Sequence, residues 1–376
     1  MRAEYISIST FIILSTFVFS FSFLPFDLKY IGVFLFILLF YMIFLLRIKQ
    51  HEYFVYLSII FSITFLLLQL ASYNLRLDYS LSAGFDSSLL SSILFFIGCM
   101  AFPITYVYLC VFINTKTSIL GFLKSMIVIV NSYFIIELVS RLLNYDSSEH
   151  SFYVFKSSVF YLDSNFIALI LVSYFVFLLF LHDKKIIKVK YSLYLTVFLI
   201  IMTFSRSGWL VLLYLFLFLK IKNGRLNKLR FYIPVIISML AFSSIYTWYK
   251  LHPEMVMAID PSLNTKFIFL ERAIEHVNQY GNADFFGLGL ASSSIIYGRY
   301  FHNIIAIFIF EMGIIGTIVF LAYLLLLARI ERVYVPVLII VNLIMGMSLF
   351  STNISYLFFF ISLIVYLDRR FNYYMD

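Results

Sequence analysis

The sequence contains few charged residues and few cysteines. Asp, Glu, Lys and Arg make up 12% of its 376 residues, whereas 63% are hydrophobic. Because soluble globular domains contain about 25% charged residues, this composition excludes an ordinary soluble fold. The two cysteines, Cys99 and Cys110, fall in one apolar run, which argues against a disulfide framework. No spacing of His, Cys, Asp or Glu predicts a metal site, and we expect no cofactor.

Long hydrophobic runs are abundant, and twelve of them approach the length of a membrane span. We therefore predict an all-α fold: a polytopic bundle of about 12 transmembrane helices, forming a single integral membrane domain over residues 1–376. We interpret the first run as a span because no small-residue cleavage site follows it. The runs cover about residues 6–24, 30–46, 52–72, 88–112, 122–140, 165–181, 191–204, 208–219, 231–248, 303–327, 333–349 and 354–367.

The basic residues are distributed unequally between the two sides of this bundle. If all twelve runs span, 18 of the 27 basic residues fall on the side of the termini, mostly in short loops. The positive-inside rule places that side, with both termini, in the cytoplasm. The net charge of +8 therefore does not indicate nucleic-acid binding. The opposite side contains Lys29, Arg76, Arg141, Lys156, Arg206, Lys250, Lys266, Arg272 and Arg299.

Two substantial loops fall on the outer side, a first periplasmic loop at 141–164 and a large one at 249–301. The large loop is too long for a simple connection. Within it, Asn264 to Gln279 is typical of an amphipathic helix, with Gly281 as a stop signal. We expect this helix to cover the outer mouth of the bundle and to present one apolar stripe formed by Phe267, Leu270, Ile274 and Val277.

A histidine stands where the large loop meets an apolar run. At 100° per residue, His302 and Gly313 lie about 20° apart around a regular helix, and Gly316 about 40° away on the other side. Glycines allow close approach of a neighbouring element, so this stripe should face protein rather than lipid. His302 is either a polar residue that caps the helix near the membrane surface or part of a site.

Three outer arginines are candidates for binding phosphate, because a guanidinium stays charged and donates two parallel hydrogen bonds. Arg206 lies in a tight connection between two apolar runs. Arg272 is predicted on the amphipathic helix, and Arg299 precedes His302 by three residues. The alternatives are a snorkelling interfacial arginine at 206 and solvated surface arginines at the other two positions.

Other polar residues have structural interpretations. Arg141 follows Glu137 by four residues, which favours an ion pair, and Asp163 precedes a span that it could cap, next to Asn165. Glu311 lies nine residues after His302, which places it on the opposite helical face without an evident partner.

The order of these motifs resembles that of the O-antigen polymerase and ligase superfamily of bacterial envelope enzymes. The resemblance covers roughly residues 160–330. Its elements are Tyr161-Leu-Asp163-Ser-Asn165, Thr203-Phe-Ser205-Arg206-Ser207-Gly208, a large loop with Arg272 and Gly287-Leu-Gly289, and His302-Asn303 followed by Gly313-x-x-Gly316.

The resemblance implies a glycosyltransferase of the bacterial inner membrane with a periplasmic active site. Its donor and acceptor would be undecaprenyl-pyrophosphate-linked oligosaccharides, and its further partners membrane lipids, a chain-length regulator and a flippase. His302 would accept the proton of the attacking sugar hydroxyl, and Arg206, Arg272 and Arg299 would bind the pyrophosphate without a metal. Asn303, Gly313, Gly316, Asp163, Asn165 and Arg141 would support the site.

Two other functions stay open at this point. A ligase moves the finished glycan onto lipid A–core by the same chemistry, and we favour a polymerase because the composition, rich in Phe, Ile, Tyr, Lys and Asn, fits AT-rich polysaccharide clusters. A lipid-linked glycan flippase is the alternative from another class. It should have charged residues along a path through its spans, where the acidic residues of this chain are limited to Glu137 and Glu311.

Overall fold

The structure is a computed structural model, and every regular element among its described residues is helical. The described residues are 52–78, 87–113, 115–144, 160, 163–221, 232–259, 261–279, 283–347, 350 and 354–373. The predicted spans at 6–24 and 30–46 lie outside these residues, as does most of the predicted first periplasmic loop.

The helices follow the predicted apolar runs. The first six are α1 (Tyr53–Asp78), α2 (Ser87–Phe112), α3 (Lys116–Leu143), α4 (Ser164–Asp183), α5 (Lys190–Met202) and α6 (Arg206–Ile221). The next group comprises α7 (Tyr232–Leu251), α8 (Pro253–Ile259), α9 (Pro261–Gln279), α10 (Ala283–Phe286) and α11 (Ser292–Tyr297). The last are α12 (Ile304–Ala306), a π-helical segment (Ile307–Met312), α13 (Gly313–Ile330), α14 (Tyr334–Gly346) and α15 (Ser355–Tyr373).

Five helical stretches within the described residues are long and apolar enough to cross a membrane, so the chain is a multi-pass membrane protein. They are Tyr53–Asn74, Leu89–Phe112, Lys116–Leu143, Ser164–Asp183 and Ile304–Ile330, and α5 and α14 are shorter apolar helices.

Helix α4 is the centre of the bundle. Across an 18-residue apolar stretch of α4, 89% of the residues are buried, compared with 33% for the corresponding stretch of α1. Apolar side chains surround α4 on all sides, as expected of a helix enclosed by others, and it packs against α5, α6, α14 and α15.

Polar contacts join the helix termini at each end of the bundle. At the end where α4 finishes, Tyr334 donates to Asp183 and Lys184 pairs with Asp368 at 2.6 Å. At the same end, Arg369 pairs with Glu52. The opposite end, where α4 begins, is called the α4 amino end below. The α4 amino end and the α4 carboxyl end correspond to the outer and inner sides in the charge-based prediction.

The helix after His302 is not the regular helix that was predicted. It begins as α12, continues through the π segment, and bends at Gly313, which has φ 65° and ψ −178°. A spacing of 100° per residue therefore does not hold from His302 to Gly316, and the predicted common stripe is wrong.

The amphipathic helix of the large loop is confirmed as α9, which begins three residues before the predicted start and ends at Gln279. Its buried face differs from the prediction, because Phe267, Leu270 and Ala273 are buried whereas Ile274 is exposed. Ala273 packs closely because it is small. Helix α9 contacts α12 and the π segment, so it covers the beginning of the helix that follows His302.

Candidate functional site at the α4 amino end

Arg206 is the first residue of α6 and its side chain is exposed. The preceding turn is tightly bonded: Thr203 Oγ1 donates to the Ile200 carbonyl at 2.7 Å and accepts from the Ser205 amide at 3.2 Å. Ser205 then caps α6, because its Oγ accepts from the Gly208 amide at 3.3 Å. The turn thus fixes the backbone that carries Arg206.

The start of α4 is joined to the Arg206 turn. Asp163 caps α4 as predicted, since its Oδ1 accepts from the backbone amide of Asn165 at 2.9 Å. The same oxygen accepts from Asn165 Nδ2 at 2.8 Å, which leaves Asn165 Oδ1 to accept from Ser205 Oγ at 2.7 Å. Asp163 and Asn165 therefore connect the amino ends of α4 and α6.

His302 lies on the other side of the same helix terminus. Its side chain is exposed, and its ring meets the Phe166 ring edge to face with centroids 6.5 Å apart. Phe166 directly follows Asn165 in the chain. The α4 amino end therefore contacts both the Arg206 turn and His302, two features that are about 96 residues apart in the printed sequence.

The cap of the helix after His302 is Asn303. Its Oδ1 accepts from the Ile305 amide at 2.8 Å, and its side chain is buried. The His302 carbonyl accepts a hydrogen bond from the Phe350 amide. The alternative in which His302 itself caps the helix is thus wrong, and its imidazole projects from a backbone that is held on both sides.

Arg272 and Arg299 are both exposed on the large loop near His302. The Arg272 guanidinium lies over the Tyr297 ring, 5.6 Å from its centroid, and Tyr297 Oη donates to the Arg272 carbonyl at 3.2 Å. Tyr297 stacks on Phe301, with centroids 5.5 Å apart. Arg272 is therefore connected through the Tyr297 ring to Phe301, the residue that precedes His302.

Arg141 is buried and does not reach the exposed surface of the site. Its Nε lies 2.9 Å from Glu137 Oε1, which confirms the predicted ion pair. Its Nη1 donates to the Met202 carbonyl at the end of α5, one residue before the Arg206 turn. Arg141 therefore stabilises the packing of α3 on α5 and supports the Arg206 turn from beneath.

Gly313 and Gly287 allow two backbone segments to touch. Both glycines have positive φ values, 65° and 72°, and a Cβ on Gly313 would lie 2.3 Å from the Gly287 nitrogen. Leu288 and Gly289 donate to the carbonyls of Phe310 and Glu311 at 2.9 and 3.0 Å. Residues 288 and 289 thereby provide hydrogen-bond donors for the carbonyls at the end of the π segment.

The predicted close packing at the two glycines is confirmed for Gly313, which meets backbone. At Gly316 the neighbours are side chains: a Cβ there would lie 3.4 Å from Met312 Cβ and 3.6 Å from Gln69 Nε2 of α1.

Glu311 is buried and has partners that the sequence did not reveal. Its carboxylate accepts from the Ala291 amide at 2.8 Å and from Ser293 Oγ at 2.6 Å. Ser293 Oγ in turn accepts from the Phe301 amide at 2.9 Å. Sequence reasoning excluded Glu311 from the site, whereas the structure connects it through Ser293 to the residue next to His302.

Helix α1 also binds this part of the large loop. Ser72 Oγ donates to the Phe286 carbonyl at 2.6 Å, and Gln69 Oε1 accepts from the Leu290 amide at 2.9 Å. No sequence signal marked these residues, because a single side-chain bond to a distant backbone group leaves no periodic pattern. The residues 286–293 are therefore fixed between α1 and the helix after His302.

No group of three or more His, Cys, Asp or Glu side chains able to hold a metal ion occurs among the described residues. Comparison of the chain with protein-family models, with curated proteins and with solved structures finds no significant match. The arrangement of the α4 amino end therefore has to be interpreted from its own chemistry.

Proposed function

We propose that the protein is an O-antigen polymerase, which transfers a glycan from an undecaprenyl-pyrophosphate-linked donor to a sugar hydroxyl of a lipid-linked repeat unit at the periplasmic face. The observation that supports this function best is the α4 amino end, where Asn165 bonds to the Arg206 turn and Phe166 contacts His302. An exposed guanidinium and an exposed imidazole thus flank one helix terminus in a membrane bundle.

Arg206 suits the diphosphate of the donor. The amino end of a helix carries a partial positive charge, so Arg206 adds its guanidinium charge to that of the α6 terminus. A diphosphate would accept hydrogen bonds from the guanidinium and from backbone amides at the start of α6 together. The negative charge that develops on the leaving group would be stabilised at the same place.

His302 suits the acceptor. The acceptor hydroxyl oxygen attacks the anomeric carbon of the donor, the bond from that carbon to the diphosphate oxygen breaks, and its electron pair leaves with the lipid diphosphate. The hydroxyl proton goes to an imidazole nitrogen of His302. A neutral imidazole has a nitrogen lone pair that can accept this proton.

The large loop supplies a cover for this reaction. Arg272 and Arg299 are exposed on it close to His302, and α9 packs over the start of the helix that follows His302. Transfer to a sugar rather than to water requires that water be excluded from the activated donor. The two loop arginines would add positive charge to the diphosphate when the cover is in place.

The proposal is tested by producing single variants in a strain that lacks the encoding gene. We expect His302→Ala and Arg206→Ala to abolish long surface glycans, with single repeat units left on the core. The matched controls are His182→Ala and Arg329→Ala. Both controls replace exposed residues at the α4 carboxyl end and should leave glycan length unchanged. Glycan length is measured on gels, and membrane insertion by immunoblot of the membrane fraction.

Near-normal glycan length in both site variants would refute the assigned residues. If the gene deletion removes all glycan from the core instead of leaving single repeats, the protein is a ligase, because a ligase attaches the finished chain.

A further inference from the structure

We infer that Glu311 and Ser293 are positioning residues that hold His302 in place through the amide of Phe301. The inference rests on the proposed function, because it assigns a task to residues behind the proposed base. Neither residue is exposed: both side chains are buried in the described structure, at 1% and 0% of their accessible surface. They act on the backbone from inside the bundle and do not contact the substrate.

The first step is the orientation of the Ser293 hydroxyl. Its single hydrogen is donated to Glu311 Oε1 at 2.6 Å. A hydroxyl has one hydrogen and two lone pairs. Because the Ser293 hydrogen is donated to the carboxylate, its oxygen can only accept from another donor. The Phe301 amide is that donor, at 2.9 Å. Glu311 therefore determines which way the Ser293 oxygen faces, and Ser293 fixes the Phe301 nitrogen.

The second step is the transfer of this restraint to His302. Its own carbonyl accepts from the Phe350 amide, so the backbone of the Phe301–His302 pair is bonded before and after the imidazole-bearing residue. The Phe301 ring adds packing, with centroids 5.3 Å from Phe269 and 5.2 Å from Phe310. A side chain that projects into solvent from such a backbone can keep its base within reach of a substrate proton.

The third step concerns why a carboxylate is buried here. Burying an ionised carboxylate lowers the stability of a protein unless several hydrogen-bond donors bind it. A protein with an apolar side chain at such a position is often at least as stable. Glu311 meets three donors on one loop: the Ala291 amide, the Ser293 amide at 3.4 Å and the Ser293 hydroxyl. All three belong to the segment that precedes His302. These three hydrogen bonds offset the cost of burying the carboxylate, and they fix the conformation of the loop beside the proposed base.

Ser293→Ala is the sharpest test, and Ser292→Ala is its matched control. Both serines are fully buried, but Ser292 Oγ has no hydrogen-bond partner among the described residues. In purified protein we expect Ser293→Ala to lower kcat for glycan transfer by about 10- to 100-fold while KM for the lipid-linked donor changes less than about twofold. Ser292→Ala should match the wild type in both.

A second measurement does not depend on catalysis. Hydrogen exchange of the Phe301 amide should accelerate by at least about fivefold in Ser293→Ala and in Glu311→Leu, but not in Ser292→Ala, because only the first two remove a member of the hydrogen-bond chain. Equal exchange in Ser293→Ala and Ser292→Ala overturns the inference, and so does faster exchange with an unchanged kcat. If the wild-type protein transfers no glycan, the proposed function fails, and the exchange result alone decides whether this chain fixes the His302 segment.

Discussion

At the scale of single residues, candidate site residues were predicted from residue types that are energetically unfavourable at their position. Arg206, Arg272 and Arg299 are predicted to lie on the side with fewer basic residues, and all three side chains are exposed. The cap at Asp163 was predictable because it depends on three consecutive residues. The bonds of Glu311, Gln69 and Ser72 were not, because each reaches a backbone group 18 or more residues away.

Gly313 gives a prediction at this scale. Its φ and ψ values are almost confined to glycine, and a Cβ would lie within 2.7 Å of three backbone atoms of residues 285–287. Gly313→Ala should therefore lower the free energy of unfolding by at least about 2 kcal/mol. The matched control is Gly121→Ala in α3, where an added Cβ meets no atom of another described element within 4 Å.

The two variants are compared by thermal unfolding of the purified protein in detergent. We expect a lower midpoint for Gly313→Ala, and a midpoint for Gly121→Ala that stays close to or slightly above the wild type, since alanine favours a helix. Equal midpoints would show that the contact with Gly287 does not constrain the fold.

At the scale of elements, hydrophobic length located helices at ten of the twelve predicted spans within the described residues, and five helical stretches there are long and apolar enough to cross a membrane. Composition could not reveal the π segment or the bend at Gly313. Both depend on a partner, since the Leu288 and Gly289 amides donate to carbonyls at the end of the π segment. The short helices α8, α10 and α11 were also missed because four to seven residues carry little periodicity.

The candidate site itself is a property of several elements. Its two proposed chemical groups come from the start of α6 and the segment before α12, and both of these segments contact the start of α4, through Ser205 and through His302. Sequence order could not predict these contacts, because they depend on which helices are neighbours. The predicted roles of Arg206 and His302 stay predictions, whereas the contacts of the two segments with α4 are features of the fold.

At the scale of the whole molecule, the helix termini lie at two opposite ends, the α4 amino end and the α4 carboxyl end. The unequal distribution of basic residues predicts that the α4 amino end faces outward. Orientation is measured with single cysteines in a chain whose Cys99 and Cys110 are replaced by alanine. A membrane-impermeant maleimide should label Arg299→Cys in intact spheroplasts, whereas His182→Cys should react only after lysis. Both positions are exposed, so accessibility within the fold is matched. The reverse pattern would invert the topology and place the proposed site in the cytoplasm.

The most direct test of the account is turnover by the purified protein of a defined repeat unit on undecaprenyl pyrophosphate, with and without a chelator. The account predicts glycan products of two or more repeats, one released lipid diphosphate for each bond formed, and no effect of the chelator. His302→Ala should form no product, and His182→Ala should match the wild type. Absence of product with the wild type, or equal product with His302→Ala, would contradict the central claim that His302 and the neighbouring arginines transfer glycan.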